Sequence, residues 1–83
     1  VDVDKTQAIL EEVMTHAITA GQRAREEAAG GSAHAQGQAF AYSDLIGLIQ
    51  EQAALLNLTW ADQSLGTFDP VSLLATPKRP DSP

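Results

Sequence analysis

The 83-residue chain has no cysteine, which excludes disulfides and thiolate metal sites. Basic residues are nearly as scarce: Lys5, Arg23, Arg25, Lys78 and Arg79 stand against eleven acids, for a formal charge of −6. From Glu26 to Pro77 there is no Lys or Arg at all. Such a stretch repels a phosphate backbone and an anionic membrane surface alike, so neither direct nucleic-acid binding nor membrane association is expected. No apolar run approaches the roughly 20 residues that span a bilayer, and no signal-peptide pattern is visible. A cytoplasmic location is the expectation. Also missing are a predicted strand and a phosphate-binding glycine loop, although glycine occurs at 21, 30, 31, 37, 47 and 66. Nucleotide binding has no support in the sequence.

A chain this short buries only about 60% of the surface its unfolded form exposes. Small domains offset that deficit with disulfides, metals or oligomerisation. With cysteine absent, oligomerisation is the expected remedy.

The residues present describe two helices. From Asp4 to about Ala29, Leu10, Met14, Ala17, Gly21, Ala24 and Ala28 recur at alternating spacings of four and three, the period of a heptad seam. Glu12, His16, Arg23 and Glu26 fall on the other face. Asp2, Asp4 and Thr6 offer capping oxygens, and Glu11 and Glu12 suit the positive end of the helix dipole. Gly30-Gly31 supplies the stop. Ser32 caps a second predicted helix running to about Asn57.

That second helix carries two apolar rows. One is Ala41, Leu45, Leu48, Gln52 and Leu55; the other is Ala39, Tyr42, Ile46, Ile49, Ala53 and Leu56, with Phe40 widening the stripe. Ser43, Asp44, Gly47, Gln50, Glu51 and Asn57 mark the expected wet side. A helix packing on one neighbour needs an apolar stripe of roughly 100°, and this one is wider. A tight glycine-containing turn between two such helices gives an antiparallel hairpin. Its facing pairs would be Ala28 with Ala35, Ala24 with Ala39, Ala17 with Ile46 and Leu10 with Ala53.

Beyond Asn57 the large apolar residues scatter without a long period. One short turn is expected over Thr59–Ser64, closed by Gly66, and another from the Asp69-Pro70 cap to about Leu74. Residues 1–75 therefore read as one helical-hairpin domain with a packed C-terminal segment, and 76–83 as a disordered tail. The expected fold class is all-α: a two-helix hairpin plus short C-terminal helical turns, dimerising into a four-helix bundle. In that bundle a twin covers the row that the first helix leaves bare, with Tyr42, Leu45, Ile46, Ile49, Ala53 and Leu56 as the self-association residues.

Candidates for chemistry are thin. Glu12 and His16 stand at the i, i+4 spacing of two metal ligands, but no further ligands join them, and an exposed ion pair is the simpler reading. His34 opens the second helix at a polar, exposed position. Ser43-Asp44 are sequence neighbours and point to different faces. Asn57-Leu58-Thr59 fits a glycosylation acceptor pattern, discounted without a secretory signal. No catalytic residue, metal or cofactor is expected.

The expectation is a non-catalytic, acidic protein–protein interaction module that forms a homodimer and acts as adaptor, assembly factor or accessory subunit. Asp44, Glu51, Asp62 and Asp69 would rim the apolar surface and steer it towards a basic protein partner. Trp60 and Phe68 are either core or partner anchors. The short, Ala-rich, acidic, motif-free chain is similar in composition, though in no specific motif, to small accessory and inhibitor proteins encoded by phages and mobile elements. That similarity implies an alternative: an anti-defence, anti-CRISPR-like inhibitor blocking a basic nucleic-acid-binding protein through its acidic surface.

Overall fold

The computed structural model describes residues 3–74, with side chains from Lys5 onward. The capping oxygens of Asp2 and Asp4 and the tail at 76–83 lie outside the described residues. Helix α1 spans Val3–Ala29, α2 spans Ala33–Leu55, α3 spans Gln63–Thr67, and a 3-10 helix, η1, spans Pro70–Leu74. Every described element is helical, and the two long helices pack against each other as a hairpin.

The turn is built from backbone capping. Gly31 takes a φ of 101°, and its amide donates to the Ala28 carbonyl while that of Ser32 donates to Glu27. This is the left-handed termination that glycine accepts without steric cost. Ser32 then caps α2, its Oγ accepting from the amide of Ala35 at 3.1 Å. The far end of α2 uses the same device with a different residue. Asn57 adopts a φ of 56°, with Asn57 N–H on Ala54 and Leu58 N–H on Ala53. The helix stops at Leu55, two residues earlier than its apolar pattern suggests. Asparagine tolerates the left-handed region better than most residues with a side chain.

The seam of α1 packs as its spacing predicts: Met14, Ala17, Gly21 and Ala24 are buried, and Leu10 and Ala28 partly so. In α2 the inward row is Ala35, Ala39, Ser43, Ile46 and Ala53. Most of these side chains are small, so the two helices enclose little volume between them. The large buried groups gather instead where a third layer arrives: Met14, Ala17 and Ile46 cluster with Leu65 of α3 and Leu73 of η1. Ile18, Tyr42, Ile49, Trp60 and Phe68 pack around that cluster.

The C-terminal segment starts at the open end of the hairpin and runs back along one flank, leaving the outer side of α2 exposed. Leu73 reaches Gly21, and Pro70 reaches Gly47. The flank it covers is part of the side of α2 expected to be wet. Ser43 is buried there, and Gln50 donates from Nε2 to the carbonyls of Leu65 (3.1 Å) and Phe68 (2.8 Å). A glutamine reads as solvent-facing from its polarity, yet a flexible amide beside two backbone carbonyls is a docking group. Among the described residues, no buried side-chain nitrogen or oxygen lacks a hydrogen bond.

The short turns also shift. Asp62 caps α3, its Oδ1 accepting from the amide (3.0 Å) and hydroxyl (2.6 Å) of Ser64. The turn therefore starts at Gln63, and Gly66 lies inside it rather than closing it. Asp69 caps η1 as expected, accepting from the Val71 amide at 3.0 Å.

Gly66 has a packing role. A Cβ there would sit 2.5 Å from Cδ1 of Trp60 and 2.8 Å from its Nε1. Gly66→Ala gains about 1 kcal/mol of helix propensity, but overpacking against a rigid ring costs about 1–3 kcal/mol. The expected outcome is a net loss of stability with a red-shifted Trp60 emission. An unshifted spectrum would show that the ring does not depend on the missing Cβ.

Candidate functional site

Two surfaces emerge once the core is subtracted. The first is the outer ridge of α2. Leu48 and Leu55 face away from α1, Leu55 being 74% exposed, and Leu45 and Leu56 stand beside them, Leu56 being 77% exposed. Leu45 and Leu48 share a shallow depression with Val71 and Pro70 of η1 and with Asp44 and Glu51. Asp44 and Glu51 of the expected acidic rim are therefore exposed and adjacent to apolar side chains. The second surface includes Ile9 and Val13 of α1, both at least half exposed.

The residues assigned to self-association divide. Ile46 and Ala53 are buried by the chain's own elements, and Tyr42 and Ile49 pack against the core cluster. Of these six residues, Leu45 and Leu56 are the exposed ones. The physical reason is that α1 takes the row centred on Ile46, because its small seam residues bring it close. Of the partner-binding residues, Asp44, Glu51 and Asp62 are exposed, while Trp60 and Phe68 are half-buried against the core. Asp62 lies away from the ridge, beside Glu11, and its carboxylate is occupied in capping α3.

Two α1 residues missed by the sequence reading hold the start of the C-terminal segment. The Glu11 carboxylate accepts from the backbone amides of Ala61 (2.7 Å) and Asp62 (3.2 Å). Gln7 donates from Nε2 both to Glu11 at 3.0 Å and to the Thr59 carbonyl at 2.7 Å. Glu11 thus satisfies amides of a distant turn, where the sequence suggested only favourable helix-dipole placement. The hydrogen bond from Gln7 and those from the two amides hold its carboxyl below the ordinary glutamate value. The i, i+4 spacing of Gln7 and Glu11 was the available signal, but it does not reveal what the pair would grip.

Glu12 and His16 form the expected exposed pair, 3.7 Å apart. Among the described residues, no group of three or more His, Asp or Glu side chains is placed to hold a metal ion. No helix among them is long and apolar enough to cross a membrane.

Because the carboxyl of Glu11 is lowered in the folded chain, its contribution is fully present above the unfolded glutamate pKa. It is lost as pH falls through the lower folded value. Acid titration should therefore expose Trp60 only below the ordinary glutamate range. Glu11→Ala should red-shift Trp60 already at neutral pH and remove that acid step. An Ala61 and Asp62 amide exchange rate indifferent to the substitution would remove Glu11 from this role. Compared with protein-family models, curated proteins and solved structures, the chain matches none at a significant level.

Proposed function

We propose that the chain is a non-catalytic, acidic protein–protein interaction module. In this reading it self-associates through apolar helix surface and serves as an adaptor, assembly factor or accessory subunit. The observation that carries this reading is the bare outer side of α2: Leu45, Leu48, Leu55 and Leu56 stay exposed although the chain has a third layer with which to cover them. Fully burying one such side chain is worth roughly 1.5–3 kcal/mol, large against the roughly 5–15 kcal/mol that holds an ordinary domain together. A contiguous apolar surface of this kind marks an interaction site more often than a solvated face.

Light scattering over a concentration series tests the self-association. A mass twice that of one chain, persisting into low micromolar concentration, is the expected result. A monomer throughout would remove self-association and leave the surface to a foreign partner.

A second reading is favoured by the depression shared by Asp44, Glu51, Leu45, Leu48 and Val71. Here the chain is an inhibitor of the phage or mobile-element kind, and its acidic ridge occupies a basic surface that would otherwise bind nucleic acid. Like charges at the rim also exclude acidic partners. Binding to a basic protein should weaken with added salt, because exposed charges are screened. Asp44→Lys and Glu51→Lys should each weaken it about tenfold or more. Binding insensitive to both salt and charge reversal would sink this reading.

A further inference from the structure

We propose that the outer row of α2 is a docking seam for one basic amphipathic helix of another protein. That helix lies along Ala41, Leu45, Leu48, Gln52 and Leu55 and is gripped at one flank by Asp44 and Glu51. The inference rests on the basic-partner reading above, not on self-association, and names the element of the partner that is recognised.

The row has the spacing of a helix–helix contact. Its members recur at four, three, four and three residues, the alternation that lets a second helix lie along the first. The row centred on Ile46 is filled by α1, but all five members of this outer row are exposed. From Ala41 to Leu55 the seam runs about 21 Å, four turns of helix. Gln52 interrupts it with a polar side chain, the kind of position that fixes register between paired helices.

Charge identifies the occupant. Asp44 and Glu51 each stand one residue before a seam residue, so they share one flank, about 10 Å apart along the axis. Other acids of the chain have work within the fold. Glu11 holds the amides of Ala61 and Asp62, Glu12 pairs with His16, and Asp62 and Asp69 cap the short helices. Asp44 and Glu51 engage no described residue through a hydrogen bond or ion pair. Neither lies in the first turn of α2, where the dipole would favour an acid, and Glu51 stands near the negative end. Their carboxylates are left for a cation from outside the described fold.

The surroundings of the two acids suit Lys and Arg in particular. Pro70 and Val71 form an apolar wall of the depression that holds Asp44 and Glu51. Long basic side chains lay their stems on apolar surface of this kind while the charged head reaches a carboxylate. A partner helix with Lys or Arg at every seventh position of the facing flank meets both acids in a single register. A second copy of the chain fits less well. Laid antiparallel, it sets Asp44 and Glu51 against their like; laid parallel, it offers them the uncharged flank of Tyr42, Ile49 and Leu56. A contact of four turns belongs with small, transient interfaces, so binding is best read at high concentration.

The test uses three synthetic helical peptides of about 20 residues with the same apolar seam. One carries Lys at every seventh position of a flank, one has those Lys moved to its solvent face, and one has Glu in their place. Binding to the isotopically labelled full chain is followed by NMR, with circular dichroism as the fold control. The flank-Lys peptide is expected to shift resonances centred on Leu45, Leu48 and Leu55, and the face-Lys peptide to bind at least about tenfold more weakly. The doubly substituted Asp44→Lys, Glu51→Lys chain should reverse the preference, losing the flank-Lys peptide and taking the flank-Glu one. Equal binding of the two Lys peptides would overturn the seam and leave the basic-partner reading standing. Binding of none of the peptides also overturns the seam, and the salt dependence described above then decides the basic-partner reading by itself. A Leu45–Leu55 row already covered by a second copy, shown by a dimer that Leu48→Glu dissociates, overturns the choice of occupant. Should the substituted chain lose helix content, the shift map on the intact chain decides alone: resonances moving elsewhere refute the docking.

Discussion

The structure depends on how closely α1 and α2 approach. Ala17, Gly21 and Ala24 meet an inward row rich in Ala35, Ala39 and Ser43. Helices in such contact gain dispersion along their backbones but leave no room for large apolar groups between them. The core has to form beside the seam. Met14 and Ile46 provide its base, and Leu65 and Leu73 close it from the C-terminal side. Gly21 shows the limit directly: a Cβ there would lie 2.6 Å from Leu73 and 3.1 Å from Tyr42. Close packing of two helices and docking of the third layer therefore meet at one residue.

Much of this hairpin was legible from residue spacing. The four-and-three recurrence from Leu10 to Ala28 names the buried face of α1, and Gly30-Gly31-Ser32 names the turn and cap. The path of the C-terminal segment was not legible, because it is held by groups that hydropathy sorts as solvent-facing. Ser43, Gly47, Gln50, Gln7 and Glu11 accept or grip the segment through small size or hydrogen bonding, and neither property has a periodic signature. The consequence reached the site. The outer ridge of α2 stays exposed, whereas the row centred on Ile46, expected to meet a twin, was spent on α1. Asp62 was read as a rim acid before its capping of α3 was visible.

The third layer covers one side of the hairpin and leaves the outer ridge of α2 exposed. That ridge combines leucines with Asp44 and Glu51, and it is the surface on which the proposed interaction reading rests.

The grip on the C-terminal segment is made almost wholly on its backbone. Glu11 takes two amides, Gln7 a carbonyl, and Gln50 two carbonyls. Bonds of this kind are blind to side-chain identity. Trp60, Leu65, Phe68 and Leu73 fill space, Gly66 makes room for the Trp60 ring, and Asp62 and Asp69 cap the two short helices, so the freedom this grip leaves falls on the remaining exposed positions. Val71 and Leu74, both turned to solvent, sit on a platform whose attachment does not constrain them. Side chains at such positions can change without loosening the backbone grip, which would let one hairpin carry different surfaces.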